Sequence, residues 1–268
     1  MFNSMAIVIR ENVKDWKRTL RLAHFEFKAE NRGKLFGIVW NILNPALQIA
    51  VYWLVFAIGL NRGGPQQGYS YIVWLITGIM PWFFINNALM STAMSYYKYS
   101  GIISHMYIPL SIIPIKTVIA EFIEHCWAML VVFIIFFASG YTLTANAIYL
   151  LYYAIAAIAF LFGYSLIVSA ITVLFLDFQN LLSSFVRLLF FVTPILWSHD
   201  NLSDNMKFIL RLNPLGYIIE GYRGSILFGN DLSANWKYGI YFWAVTLFLF
   251  VIGSGIHCKF RRKFIDVL

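Results

Sequence analysis

Apolar residues gather in six long runs, separated by shorter stretches that mix charge, glycine and proline. The runs cover Leu35–Leu60, Tyr71–Ala93, Ile115–Ala138, Ala147–Leu176, Leu181–Trp197 and Tyr238–Cys258. Each is near the ~20 residues that a helix needs to cross about 30 Å of hydrocarbon. The runs are continuous rather than alternating, which predicts helices and argues against a membrane barrel. The expected fold class is an all-α integral membrane protein with six transmembrane helices.

The stretches between the runs have patterns of their own. In residues 1–34, Val13, Trp16, Leu20, His24 and Phe27 recur at three- and four-residue steps, with Lys14, Lys17, Arg18, Arg21 and Lys28 on other faces. That spacing predicts an amino-terminal amphipathic helix lying in the interface on anionic headgroups. Met90–Pro114 is too polar for bilayer core and too apolar for a solvated linker. Ile102, Ile103, Met106 and Tyr107 recur there at helical spacing, with Lys98, Ser100, Ser104 and His105 between them. Gly101, Pro109 and Pro114 limit any helix to a few turns. A short amphipathic helix here suits a contact with a soluble partner; an ordinary interfacial loop is the plainer alternative. Residues 206–228 are apolar but broken by Asn213, Pro214, Gly216, Gly221 and Gly224, so each half is too short to cross. They predict a re-entrant pair of short external helices, on which Glu220 and Arg223 stand three apart and can pair. The expected division is 1–34 interfacial, 35–258 transmembrane domain and 259–268 basic tail.

Charge gives the runs a direction. Eight Lys and Arg lie in the amino-terminal tail, Lys98 and Lys116 flank the second loop, and Lys259, Arg261, Arg262 and Lys263 close the chain. Arg62, Lys207, Arg211, Arg223 and Lys237 fall on the other side. Fourteen against five places both termini in the cytoplasm of a multi-pass plasma-membrane protein. The first ten residues lack the apolar core of a cleavable signal peptide. Overall, 12% of residues are charged, against about 25% in soluble domains, leaving little chain for a soluble domain. Cys126 and Cys258 form neither a metal spacing nor an arguable disulfide.

Polar residues inside the runs are the candidates for chemistry. Asn41, Asn44, Gln48 and Tyr52 share one face of the first run, around Pro45. Amides in hydrocarbon need partners, so this stripe either lines a wet path or joins helices by hydrogen bonds. Trp40, Trp82 and Phe84 offer apolar ring surfaces that line a path, close a dry gate or simply pack. Arg187 is the one Lys or Arg away from the end of a run; it pairs with Glu121 or Glu124, or it receives a phosphate group. Glu121, Glu124 and His125 fit neither a di-metal nor a zinc-protease spacing, and their expected role is structural. No metal site is expected.

Motifs for catalysis fail. Gly63–Ser70 nearly matches a phosphate-binding loop, but Tyr69 stands where its lysine is needed. Asn201-Leu202-Ser203 fits a glycosylation acceptor, a pattern common by chance. No nucleophile elbow appears, and nothing in the sequence points to ATP hydrolysis, a cofactor or a nucleic-acid partner.

Several segments together resemble the permeases of ABC-2 type polysaccharide exporters, and more narrowly the membrane subunit of wall teichoic acid exporters of Gram-positive bacteria. They are Asn31-Arg32-Gly33 with Leu35–Phe56, WLITGIMPWFFIN (Trp74–Asn86), MYIPLSIIP (Met106–Pro114), FVTPILW (Phe191–Trp197), LNPLGYIIEGYRGSIL (Leu212–Leu227), and YFWAV and HCKFRRKF near the end. The resemblance implies a homodimer bound to two ATP-binding subunits, with ATP and Mg on those partners and no catalysis in this chain. It implies that Met90–Pro109 holds a coupling helix docking on the ATPase, with Ser95, Tyr97, Lys98, Ile102, Ile103, His105 and Met106 as contact residues. It implies flipping of lipid-diphosphate-linked teichoic acid, or of a capsule or O-antigen glycan, along a path including Trp40, Asn41, Asn44, Gln48, Tyr52, Trp82, Phe84 and Arg187. The external re-entrant segment contributes Asn213, Pro214, Glu220 and Arg223. Two positions depart from the pattern: Leu176-Asp177 replaces a frequent Arg-Asp, and His105 replaces a common lysine. A membrane-embedded glycosyl- or acyltransferase is the competing class; it needs a convergent acid/base site that the sequence does not offer.

Overall fold

The computed structural model describes residues 2–59, 63–103, 108–198, 202–230, 232 and 236–267. The regular structure of the described residues is helical, with one isolated bridge between Gln66 and Tyr69. Two helices, α1 (Phe2–Lys14) and α2 (Trp16–Asn31), precede α3 (Trp40–Trp53), which is extended by a 3-10 turn over Gly37–Val39 and a π turn over Leu54–Gly59. Then follow α4 (Tyr71–Ala93), α5 (Ser95–Lys98), α6 (Ser100–Ile103), α7 (Ile112–Ala138), α8 (Tyr149–Leu174), α9 (Phe178–Val192), α10 (Asp204–Arg211), α11 (Pro214–Arg223) with a π turn over Gly224–Phe228, and α12 (Trp236–Val267).

Among the described residues, five helical segments are long and apolar enough to cross a membrane: Gly37–Gly59, Tyr71–Ala93, Ile112–Ala138, Ala145–Leu174 and Trp236–Arg261. The fifth expected run forms the shorter apolar helix α9, about 22 Å long at 1.5 Å per residue. It starts before the expected Leu181 and stops at Val192, well short of Trp197. The cause is local: Thr193 precedes Pro194, and proline drives the preceding residue to extended backbone, here φ −78° and ψ 138°. Pro114 does not end a helix, as expected, but sits in the first turn of α7, where its missing N–H costs nothing.

Helix α4 is the axis of the bundle and is buried along most of its length, against α7, α8, α9 and α11. Helices α8 and α12 form a close pair. Gly163 and Gly253 let their backbones meet: a Cβ on Gly163 would lie 2.8 Å from the Phe250 nitrogen, and one on Gly253 2.7 Å from the Gly163 carbonyl oxygen. Helix α3, by contrast, has almost no buried surface within the chain.

Where a re-entrant pair is expected, two unlike helices stand. Helix α10 has no buried residue and exposes Met206, Phe208 and Ile209. Helix α11 is buried among α4, α8 and α12. Asn213 caps it: its side-chain oxygen accepts from the Leu215 N–H at 3.0 Å, and its amide donates to Thr193 Oγ1 at 2.8 Å. Pro214 follows in the first turn, where proline is favoured. Arg223 turns inward, donating to the carbonyls of Pro194 at 3.0 Å and Ile195 at 2.9 Å and lying 3.8 Å from the centre of the Trp74 ring. Its guanidinium fills the space that a Cβ on Gly78 would need. Glu220, on the same helix, is half-buried.

Candidate functional site

A groove of about 780 Å³ runs beside α3. From α3 it takes Trp40, Asn41, Asn44, Pro45, Gln48 and Tyr52, which helical spacing places on one face. From α4 it takes Trp82, Phe83, Asn86 and Asn87; from α9, Val186, Arg187, Phe190 and Phe191; from α7, Glu124; and from the end of α2 and the loop after it, Glu30 and Lys34. Phe190 joins the walls, with its ring 5.6 Å from those of both Tyr52 and Trp82. Pro45 cannot donate to the carbonyl of Asn41 one turn earlier, and the Asn41 amide nitrogen is buried with no hydrogen-bond partner among the described residues. The wall offers the exposed amides of Asn44 and Gln48 beside aromatic rings, a surface that suits hydroxyl-rich, ring-shaped cargo. Four charges, on Glu30, Lys34, Glu124 and Arg187, border the same space.

The expected path residues divide. Trp40, Asn41, Asn44, Gln48, Tyr52, Trp82 and Arg187 line one groove. Phe84 does not: it is buried, with its ring stacked 5.0 Å from that of His125. It stands two residues beyond Trp82, about 200° round a helix that is buried on nearly all sides. Arg187 forms no ion pair with Glu121 or Glu124; its Nε donates to the Ser183 carbonyl at 3.2 Å and its Nη2 to the Ser183 hydroxyl at 3.3 Å. Glu121 accepts instead from the Ser91 hydroxyl at 2.6 Å, and His125 Nε2 lies 3.2 Å from the Tyr222 hydroxyl. Among the described residues no His, Cys, Asp and Glu cluster could hold a metal.

Among the described residues, the segment between α4 and α7 holds two single turns, α5 and α6, separated at Tyr99. Ser95 is buried and donates back to the Thr92 carbonyl at 2.8 Å, so it presents nothing to a partner. Tyr97 donates to the Val173 carbonyl at 3.3 Å, and the Tyr96 hydroxyl is 3.0 Å from His257 Nδ1 on α12. Burial pushes the Tyr96 phenol well above its ordinary value. Ile102 and Ile103 lie on α6 with undescribed side chains, and Ser104, His105, Met106 and Tyr107 lie outside the described residues, as do Arg62 and Asn201.

Lys98 is committed. Its ammonium lies 2.9 Å from Glu26 Oε1 and 2.5 Å from Glu30 Oε1, both on α2. Glu26 Oε2 also takes Lys116 of α7 at 2.8 Å, and Lys116 stands 3.0 Å from the centre of the Tyr99 ring. Burial works to raise the Glu26 carboxyl, but the Lys116 and Lys98 ammonium groups outweigh it and hold it below the usual carboxylate range. Burial likewise works to lower Lys98, and Glu30 and Glu26 outweigh it upward. Helix α1 is tied in by Ser111, whose hydroxyl donates to Glu11 at 2.5 Å, and by Arg261 of α12, 3.5 Å from Glu11. The expected apolar stripe of the amino-terminal stretch splits: Phe27 is buried in the protein, while Val13, Trp16 and Leu20 stay exposed.

The groove residues that sequence reasoning missed are Glu30, Lys34, Phe83, Asn86, Asn87, Glu124, Val186, Phe190 and Phe191. Asn86 and Asn87 carried a usable signal, amides one turn beyond Trp82 on the same helix.

The chain matches the ABC-2 type transporter family over residues 18–227. It is similar to the O-antigen export system permease protein RfbA of Klebsiella pneumoniae, 26% identical over 244 residues that cover 91% of this chain and 92% of that protein. The RfbA of Myxococcus xanthus is 23% identical over 221 residues, 82% of this chain and 84% of that protein. The polysialic acid transport protein KpsM of Escherichia coli is 23% identical over 217 residues, 80% of this chain and 83% of that protein.

Proposed function

Because the chain belongs to the ABC-2 type transporter family, we propose that it is the membrane subunit of an ATP-driven exporter that moves a lipid-linked polysaccharide through the groove beside α3. The single observation behind this reading is the make-up of that groove: an amide stripe, Asn41, Asn44 and Gln48, faces aromatic side chains across a space reached from a helix with almost no burial in its own chain. A polymer hung on a lipid needs such a path. Its tail stays in hydrocarbon while its polar part crosses against hydrogen-bonding and stacking groups.

The names of the relatives favour an O-antigen or capsule type of glycan. Teichoic acid, the narrower sequence reading, is the second candidate, supported by the same groove but by none of those names. The chain itself is not an enzyme in this reading: ATP and Mg belong to two separate ATP-binding subunits, and a second copy of this chain covers exposed faces of α3 and α9. Both termini face the cytoplasm of the plasma membrane in this reading, which the distribution of Lys and Arg supports.

The test uses the complex with its ATP-binding partner in proteoliposomes, after its mass has been checked for two copies of each subunit. The double variant Asn44→Leu with Gln48→Leu should assemble normally and export lipid-linked O-antigen about tenfold more slowly, a loss of ~1.4 kcal/mol of barrier lowering. Unchanged export by the assembled variant would move the path elsewhere. Supplying lipid-linked teichoic acid in parallel separates the two substrates.

A further inference from the structure

Glu30 belongs to two places at once. Its Oε1 accepts from Lys98, on the segment between α4 and α7, at 2.5 Å. Its side chain also borders the groove, together with Lys34, Glu124 and Arg187. The carboxylate one turn earlier is different. Glu26 has 2% side-chain exposure and holds Lys116, equally buried, and Lys98, so it fixes α2 to α7. Glu30 has 35% exposure.

The geometry allows two arrangements of the pair. In one, Lys98 is shared between Glu26 and Glu30, as seen here. In the other, Lys98 stays on Glu26 alone, and Glu30, which water already reaches, is released to the groove. An anionic head group entering the groove decides between them. Its phosphate oxygens meet Lys34 and Arg187 and repel the carboxylates of Glu30 and Glu124 on the same border, and charge-assisted bonds to phosphate oxygens are among the stronger contacts open to those cations.

We propose that Glu30 and Lys98 form a positioning contact that couples occupancy of the groove by an anionic, diphosphate-bearing lipid head group to the segment between α4 and α7, and through it to the ATP-hydrolysing partner. A ligand shifts such an element only by its different affinity for the two arrangements, and the exchange of partners around Glu30 supplies that difference. The inference rests on the groove being the substrate path.

Two measurements on the complex in proteoliposomes test it. The first compares ATP hydrolysis with and without a polyprenyl diphosphate. Lys98→Gln and Glu30→Gln should each lower the ratio of stimulated to basal rate by about fivefold, the low end of measured couplings. The double variant should lose no more than Lys98→Gln alone, because that change already removes the contact with Glu30 along with the one to Glu26. Losses that multiply, or a ratio that survives either change, overturn the proposal. The second needs no substrate. With Cys126 and Cys258 replaced by serine, the alkylation rate of a cysteine in place of Asn87, on the groove wall, should change by about fivefold when ATP is trapped on the partner, because coupling is reciprocal. Lys98→Gln should abolish that change. A change that persists in Lys98→Gln, or none in the parent, overturns the coupling whatever the cargo. A parent in which the ATP-dependent change is present but no polyprenyl diphosphate stimulates hydrolysis upholds the contact and counts against the substrate reading alone.

Discussion

Lys116 is held between Glu26 and the ring of Tyr99 in surroundings that leave its side chain 2% exposed. A buried ion pair adds little net stability, but removing one partner strands the other charge. Glu26→Gln should therefore destabilise the protein by about 3–5 kcal/mol, while Glu26→Gln with Lys116→Met should recover part of that. Thermal unfolding in nanodiscs checks both, and equal midpoints for single and double variants would contradict the pairing. The pH dependence has a definite sign. Glu26 is depressed in the folded state, so its contribution is present above the ordinary carboxylate pKa of about 4.3 and is lost as pH falls through its lower folded value. Lys98 is raised, so its contribution is present below the ordinary lysine value of about 10.4 and is lost as pH rises through its higher folded value. The Lys98–Glu26 contact should hold from about pH 5 to 10 and open on acidification. Asn41, Asn44, Gln48 and Arg187 were legible in the sequence because polar groups inside an apolar run demand a reason. Glu30 and Lys34 were not: within a run of tail charges nothing local separates a groove residue from a solvated one, and only the packing of α2 on α7 brings them to the site.

At the scale of elements, the apolar runs translate into helices with ends shifted by a few residues, except where proline chemistry intervenes at Thr193-Pro194. Helix α9 carried the right residues but the wrong length, because continuous hydropathy over Leu181–Trp197 does not register a backbone turn. Phe84 was misplaced for a related reason. On a helix buried on nearly every side, as α4 is, hydropathy names no face. The segment between α4 and α7 was found by its mixed polarity, but its break at Tyr99 and the inward Ser95 follow from contacts with α2, α8 and α12 that no local pattern encodes. Its side of the membrane is open to test. Gly101 is exposed and has open space where a Cβ would stand, so Gly101→Cys should fold normally. An impermeant maleimide should label it in inverted vesicles and not in intact cells; labelling in intact cells would reverse the proposed orientation.

For the whole molecule, the uneven burial of the helices is the most informative feature. Helix α4 is enclosed, while α3 and α9 leave Leu47, Val51, Leu181, Phe185, Leu188 and Phe191 exposed along their flanks. Between those two open helices lies the groove, walled by polar and aromatic groups and bordered by charge at Glu30, Lys34, Glu124 and Arg187. That arrangement ties a path for a lipid-linked polymer to the part of the chain proposed to meet the ATPase. The most direct measurement places a photoreactive side chain at Asn44 in the assembled complex and irradiates it during export of lipid-linked O-antigen. The account predicts a glycan adduct at that position, formed before ATP is added and diminished as ATP drives export. Export that proceeds at the parent rate with no adduct at Asn44 would contradict it.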